Sequence, residues 1–250
     1  MSDTNFYIHL SADRGGANHG WLDTKHAFSF AHYYNPSRMG FGALRVINED
    51  KVAPKSGFQM HPHKDMEIIT VPYQGTLSHS DTEGNSGEIS AGLLQRMSAG
   101  RGIWHSEMNK ADEPVHFYQI WIDTKERGVQ ASYEDFHTDL EDRMNALTLV
   151  ASGNKKLSEK GLYIHQDADV WQGSMDKGNS YIYKIHRPQN GVYLQMANFT
   201  PRSEIEINGQ RIAGGDAIEI RNIKEFKIRA ISEQVDFLLM DVPIVGSWTK

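Results

Sequence analysis

Short stretches in which apolar and polar residues alternate fill most of the chain, and glycine-rich turn signals separate them. The stretches are rich in Ile, Val, Phe and Tyr, which suit a pleated, half-buried surface. Asn208-Gly209 favours a type I′ turn and therefore predicts a tight hairpin of residues 203–207 and 210–213. The pattern predicts an all-β sandwich or barrel. Further strands are predicted at 67–73, 117–123, 148–151, 181–186, 193–199, 217–220, 225–231 and 235–241.

Helix signals are scarce, and the best of them lies near the middle of the chain. Residues 133–144 carry acidic side chains early and Arg143 late, which suits the dipole of a helix. Strands are predicted on both sides of this stretch, so we place a domain boundary there. The predicted N-terminal unit covers residues 1–135, and the predicted C-terminal unit covers residues 136–250.

A weak internal repeat indicates two copies of one unit. The sequence at 87–92 (GEISAG) resembles that at 209–214 (GQRIAG), an offset of 122 residues. At this offset, none of the four candidate metal ligands of the first copy, which are described below, corresponds to a good metal ligand in the second copy. We therefore expect the second unit to have lost the site and to act as a structural or lid partner. The offset relates His61 to Tyr183, His63 to Ile185, His105 to Lys227 and Glu107 to Arg229.

Composition and charge exclude several classes of function. The chain has 250 residues and a net charge of −6, so we expect no nucleic-acid partner, because phosphate binding needs a basic surface. No apolar run approaches the roughly 20 residues of a membrane span, and residues 1–5 lack the features of a signal peptide. We therefore expect a cytoplasmic protein. Because there is no cysteine, any metal must be bound through nitrogen and oxygen.

Two pairs of residues with i, i+2 spacing are the strongest candidates for chemistry. His61 and His63 form one pair, and His105 and Glu107 form the other. Side chains two apart on a strand point to the same face, so two adjacent strands would direct three imidazoles and one carboxylate at one point. The glycines at 100 and 102 allow a close approach of the second strand. The four residues are the predicted ligands of one metal ion.

The donor set limits the choice of metal but does not fix it. Three imidazoles and a carboxylate suit Fe, Ni, Mn, Cu or Zn better than Mg or Ca. A metal that accepts five or six ligands would keep positions open for a substrate oxygen or dioxygen. Glu67 is a rival carboxylate, since strand parity also turns it inward. On spacing alone it is a ligand, a hydrogen-bond acceptor behind a histidine, or a residue at the edge of the core.

The N-terminal half resembles the pirin family of bicupins. The resemblance implies two antiparallel, jelly-roll-type cupin barrels packed face to face, with one metal, usually Fe(II), in the first. It also implies that the ligands are His61, His63, His105 and Glu107, and that Glu67 is not one. The matching strings begin at His19, His26, Met39, Arg45, His61, Gln95 and His105, and read HGWLD, HAFSF, MGFG, RVINED, HPHKDME, QRMSAG and HSE.

The resemblance implies quercetin 2,3-dioxygenase activity, in which dioxygen opens the central ring of a flavonol and carbon monoxide leaves. Flavonols and dioxygen are thus the expected small-molecule partners, and Glu107 is the candidate base for the 3-hydroxyl proton. A different class of function stays open at this point. Some pirins are described as metal-binding redox sensors that regulate a protein partner without catalysis. A degenerate cupin without metal is a third reading, which the four intact ligand positions disfavour.

Overall fold

The computed structural model describes residues 5–199 and 202–244, so residues 1–4, which entered the targeting expectation, lie outside it. Strands make up 59% and helices 4% of the structure, which confirms the predicted all-β class. The strands form two barrels, and each barrel has one seven-stranded and one four-stranded sheet. Among the described residues, no helix has the length and apolar character needed to span a bilayer.

The first barrel is antiparallel throughout. Its large sheet has the order β12-β9-β6-β11-β4-β3-β2 and its small sheet the order β5-β10-β7-β8. The strands are β2 (Gly15–Asn18), β3 (Leu22–His26), β4 (Leu44–Val52), β5 (Ser56–His63), β6 (Met66–Gln74), β7 (Thr76–Asp81), β8 (Ser86–Ser90), β9 (Leu93–Ser98), β10 (Ile103–Asn109), β11 (Val115–Asp123) and β12 (Ser132–His137).

The second barrel has a similar plan, except that β13 and β14 pair in parallel. Its large sheet has the order β1-β20-β17-β22-β15-β13-β14, and its small sheet the order β16-β21-β18-β19. Matching strand orders in the small sheets support the predicted repeat, since the two similar sequences fall on β8 and β19. The strands are β1 (Phe6–His9), β13 (Ala146–Ser152), β14 (Leu162–Tyr163), β15 (Asp169–Asp176), β16 (Ser180–Lys184), β17 (Asn190–Met196), β18 (Glu204–Ile207), β19 (Gln210–Ala213), β20 (Ala217–Ile220), β21 (Glu225–Ala230) and β22 (Gln234–Pro243).

The two barrels pack through their large sheets. One buried cluster contains residues from both halves of the chain, including Phe28, Tyr118 and Tyr193. The N-terminal strand β1 strengthens the connection, because it pairs with β20 at the edge of the second barrel's sheet. The predicted boundary between residues 135 and 136 falls within β12 and stays a prediction.

The predicted helix at 133–144 is wrong over most of its length. Residues Ser132–His137 form β12, and only Leu140–Arg143 form a helix, α1. Strand β12 pairs with β9 along six residues, and Phe136 packs against the core between the barrels. Tertiary pairing therefore outweighs the local charge pattern. Glu134 and Asp135, which suggested a helix dipole, are instead exposed residues of an edge strand.

Candidate metal centre

The first barrel brings the three predicted histidine ligands together. Strands β5 and β10 are antiparallel neighbours, with His105 directly opposite His61. One nitrogen from each of His61, His63 and His105 lies within 4.8 Å of the others. The Nε2 atoms of His61 and His105 are 3.0 Å apart. The i, i+2 spacing and the strand pairing together produce this convergence.

Hydrogen bonds behind the rings set which nitrogen each imidazole presents. His61 Nδ1 lies 2.7 Å from the Gln59 carbonyl oxygen, so Nδ1–H donates and Nε2 keeps its lone pair. Behind His105, His79 Nε2 lies 3.2 Å from Asp81 Oδ2, and the Nδ1 atoms of His79 and His105 are 3.4 Å apart. If His79 Nε2–H donates to Asp81, His79 Nδ1 accepts a hydrogen bond from His105 Nδ1–H. The Nε2 atom of His105 then keeps its lone pair for a metal ion.

Two of these imidazoles, His63 and His105, are kept neutral by their surroundings. Burial is the largest cause that lowers the pKa of His105 to about 3, and the neighbouring His61 and His79 contribute to the same shift. Burial also lowers the pKa of His63 to about 3. His63 Nε2 is buried and has no hydrogen-bond partner among the described residues. Neutral imidazoles with unpaired nitrogens fit a transition-metal ion, which binds only the deprotonated ring nitrogen.

Glu107 lies in the same cavity but has different contacts. Its two carboxylate oxygens accept hydrogen bonds of 3.0 and 2.9 Å from Gln119 Nε2, and Thr70 Oγ1 lies 3.5 Å from Oε1. A register shift between His105 and Glu107 separates it from the close histidine group. Glu107 is not among the groups whose ligand atoms lie within 4.8 Å of one another. Its role as fourth ligand therefore stays a prediction.

A cavity of about 480 Å³ opens beside the histidines. Four aromatic rings line it, from Phe30, Tyr33, Phe58 and Trp121. The Trp121 ring meets the His63 ring edge to face, with 4.8 Å between centroids. The volume is within the range of small-molecule sites, and the apolar walls suit a flat aromatic ligand.

Comparisons with known proteins agree with this architecture. The Pirin family model matches residues 8–122, and a model described as the quercetinase C-terminal cupin domain matches residues 149–242. A protein of Escherichia coli K12 named quercetin 2,3-dioxygenase is 39% identical over 240 residues, which cover 96% of this chain and 99% of that protein. The chain belongs to the pirin family.

Similar proteins with the pirin fold have been solved by crystallography. The structure of YhhW from Escherichia coli covers 96% of this chain and 99% of its own, with 39% identity and a TM-score of 0.88. A second structure, of the bacterial pirin YhhW in complex with nickel(II), has 38% identity and a TM-score of 0.86, and covers 95% of this chain and 99% of its own. A pirin-like protein of Caulobacter vibrioides is 39% identical over 91% of this chain and 95% of its own length.

The rival carboxylate lies away from the candidate pirin metal centre. Glu67 is buried on β6, where Oε2 accepts a 2.6 Å hydrogen bond from the Ser98 hydroxyl and Oε1 lies 3.1 Å from His165 Nδ1. Strand parity does not carry over from His63 because the chain turns at Asp65, which has a positive φ of 49°, and enters the large sheet. Of the readings left open for Glu67, its contacts support a buried residue at the edge of the core.

Sequence reasoning missed several polar residues of the cavity. Asn48, Asp50 and Gln119 line it, yet they lie on strands of the large sheet rather than in either histidine motif. The available signal was weak, since the polar residues 48–50 stand between the apolar pair at 46–47 and the exposed Lys51 in the same strand. Two further histidines, His26 and His32, also line the cavity, whereas His116 Nε2 lies 3.1 Å from Glu49 Oε1.

The second barrel holds a different cluster that the sequence did not predict. Ligand atoms of Asp169, His186 and Asp241 lie within 4.8 Å of one another. Arg187 already pairs with Asp169 at 2.7 Å, and His186 Nδ1 lies 2.9 Å from the same oxygen. Asp241 accepts hydrogen bonds from Tyr183 and Asn190. The carboxylates are therefore neutralised and satisfied by the protein itself.

Proposed function

We propose that this protein is a metal-dependent dioxygenase that opens the central ring of flavonols such as quercetin. The observation that supports this most is the convergence of three imidazoles beside an aromatic-lined cavity of about 480 Å³. An imidazole cluster that leaves part of a metal's coordination sphere to outside molecules suits a catalytic site rather than a closed structural one.

We propose Fe(II) as the native metal, bound by His61, His63, His105 and Glu107, with Ni, Mn, Cu or Zn as the alternatives that this donor set allows. The nickel(II) complex of the Escherichia coli pirin supports a divalent metal in this family. When bound, the metal would supply Lewis acidity toward the flavonol 3-oxygen and a common binding point for both reactants. The neutral state of the imidazoles supports loading at neutral pH.

The cavity walls would orient the substrate. The rings of Phe58 and Trp121 offer apolar faces and edges to a flat polycyclic molecule, and the His63–Trp121 contact keeps one wall rigid. These rings would also exclude water from the reacting ring. Exclusion of water strengthens the electrostatic interactions between the substrate and the polar groups of the site.

Glu107 is the proposed acceptor for the 3-hydroxyl proton. Glu107 lines the cavity, and Gln119 Nε2 donates hydrogen bonds to both of its carboxylate oxygens. A carboxylate held in this way is oriented before substrate arrives, which lowers the entropic cost of proton transfer. Movement of Glu107 away from Gln119 would bring it toward the substrate or the histidines.

The test pairs metal analysis with turnover on the same sample. Protein purified without chelator is analysed for bound metals, loaded with iron and mixed with quercetin under air, and the loss of visible absorbance is followed. We expect Glu107→Gln to lower turnover at least a hundredfold while metal content falls by less than half. Glu88→Gln removes an exposed carboxylate from the same small sheet and should change neither quantity.

Two results would contradict the proposal. Full turnover in Glu107→Gln would remove Glu107 as the base. No loss of absorbance in fully iron-loaded wild type would remove the dioxygenase itself. A shape change between its ferrous and ferric forms would then favour the alternative of a redox-sensing regulatory protein.

A further inference from the structure

One buried carboxyl group in the cavity wall lacks a partner. Asp50 on β4 is 3% exposed and lines the cavity. Directly across the strand pair lies Thr24 of β3, which is 4% exposed and lines the same cavity. Within the part of the chain that the structure describes, neither Asp50 Oδ1 nor Thr24 Oγ1 has a hydrogen-bond partner. The two side chains lie near enough for Thr24 to lower the pKa of Asp50, but neither atom has a hydrogen bond of normal geometry to any described residue.

The neighbours of Asp50 on the same strand are satisfied. Asn48 Oδ1 lies 2.8 Å from His26 Nδ1. Glu49 faces the opposite side of β4, where Arg14 donates to it at 2.7 Å. Because buried polar groups in folded proteins nearly always have partners, the unpaired atoms of Asp50 and Thr24 indicate a position that a bound molecule completes.

The chemistry of the pair indicates what that molecule would offer. A carboxyl group and a hydroxyl group side by side can together accept and donate hydrogen bonds. Burial is the largest cause that raises the pKa of Asp50 to about 7; the negative charges of Glu107 and Glu49 add to the rise, and the Thr24 hydroxyl alone opposes it. Both protonation states are therefore accessible near neutral pH. A phenolic hydroxyl, which is both donor and acceptor, is complementary to such a pair.

We propose that Asp50 and Thr24 form a second recognition point of the cavity, which binds a phenolic hydroxyl other than the one presented to the histidines. This inference rests on the proposed function, since it assumes that an aromatic hydroxyl compound occupies the cavity. It deepens that function by assigning a substrate class. The site selects polyhydroxylated flavonols over the parent compound, 3-hydroxyflavone, which lacks a second hydroxyl group.

The selectivity follows from the cost of leaving the pair unsatisfied. A ligand without the second hydroxyl covers Asp50 and Thr24 with apolar atoms and keeps them buried without partners. A site built to hydrogen-bond a hydroxyl therefore rejects the analogue that lacks it more strongly than an apolar pocket rejects an extra hydroxyl.

The experiment compares the affinities of two probes, quercetin and 3-hydroxyflavone, for nickel-loaded protein under nitrogen, so that binding is separated from turnover. The variants are Asp50→Leu and Thr24→Val, which remove the hydrogen-bonding groups at nearly constant size. Thr138→Val is the matched control, because Thr138 is also a buried threonine but does not line the cavity. Asp50→Asn restores a polar group and should recover part of the effect.

We expect wild type to bind quercetin at least tenfold more tightly than 3-hydroxyflavone. Asp50→Leu should reduce this ratio about tenfold and Thr24→Val about threefold, because quercetin loses a hydrogen bond and 3-hydroxyflavone no longer buries an unpaired polar group. Removal of an unpaired buried carboxyl should raise the Tm of Asp50→Leu, so the variant is expected to fold. If Asp50→Leu does not fold, Thr24→Val tests the same point.

Each outcome separates the subsite from the proposed function. An unchanged affinity ratio in Asp50→Leu and Thr24→Val would overturn the subsite, whatever the turnover. A ratio that collapses in the variants, with no flavonol turnover by iron-loaded wild type, would keep the subsite and overturn the dioxygenase. Failure of wild type to bind either probe would overturn both.

Discussion

The two barrels place polar residues at the same positions of their large sheets, but these residues differ in charge and in the groups that contact them. In the first barrel Gln119 of β11 is paired with Asn48 of β4. In the second, Asp241 of β22 is paired with Asp169 of β15. The four central strands have the same order in the two large sheets, and the offset of 122 residues relates Gln119 to Asp241. Amides in one barrel thus correspond to carboxylates in the other.

The two barrels also differ in the positively charged groups of the protein that lie beside these clusters. In the second barrel Arg187 and His186 contact Asp169, and Tyr183 donates to Asp241 at 2.8 Å. Tyr183 is the residue that the repeat relates to His61. In the first barrel, burial keeps His63 and His105 neutral, and His63 lies next to a cavity. The cluster of the second barrel is satisfied by groups of the protein itself, whereas the histidines of the first barrel suit the binding of a metal ion.

The largest expected effect comes from removal of a histidine of the first barrel. His105→Ala should reduce bound metal to less than a tenth of the wild-type amount, because it removes the central ring of the cluster and its support by His79. Lys227→Ala is the matched change at the related position of the second barrel, where the side chain is exposed. Elemental analysis should show no loss there. Equal loss in both variants would contradict the division of roles.

The second barrel should respond in stability instead. Arg187→Ala leaves Asp169 as a buried carboxylate without its arginine partner and should lower the free energy of unfolding by about 3 kcal/mol. Metal content should not change. Arg229→Ala removes an arginine from a more exposed ion pair with Glu206 and should cost less than about 1 kcal/mol. Denaturant unfolding of metal-loaded protein measures both, and similar small losses would show that the cluster has no structural role.

The sequence predicted much of this comparison because the informative patterns are local. Strand alternation depends on neighbouring residues, so each predicted strand, from 67–73 to 235–241, overlaps an observed one. The spacing of His61 and His63 likewise needs only strand geometry and one neighbouring strand. Both features can therefore be predicted without knowledge of the tertiary structure.

What the sequence did not predict depends on contacts between distant segments. Residues 133–144 carry a helix-like charge pattern, but pairing with β9 makes their first half a strand. Asp169, His186 and Asp241 have no motif spacing, and only the sheet register and the end of β16 bring them together. The Gln119–Glu107 contact likewise depends on the packing of the large sheet against the small one.

The smallest expected effect is an opposite pH dependence of stability in the two barrels, measured on metal-free protein. Burial lowers the pKa of His105 to about 3, so only the unfolded chain takes up this proton as the pH falls below 6.5. Stability is therefore lost toward acid, by about 1 kcal/mol between pH 7.5 and 5.5 for this residue. His105→Gln should flatten the acid side of the stability profile.

In the second barrel, the hydrogen bond to Asp169 raises the pKa of His186, although partial burial opposes the rise. A folded-state pKa above the unfolded value of 6.5 means that the folded protein holds this proton more tightly. The stabilisation is therefore complete below pH 6.5 and is lost as the pH rises through the folded-state pKa. His186→Gln should flatten the alkaline side and leave the acid side unchanged, in urea unfolding across the pH range. If both variants flatten the same side, the two clusters do not differ in charge state as proposed.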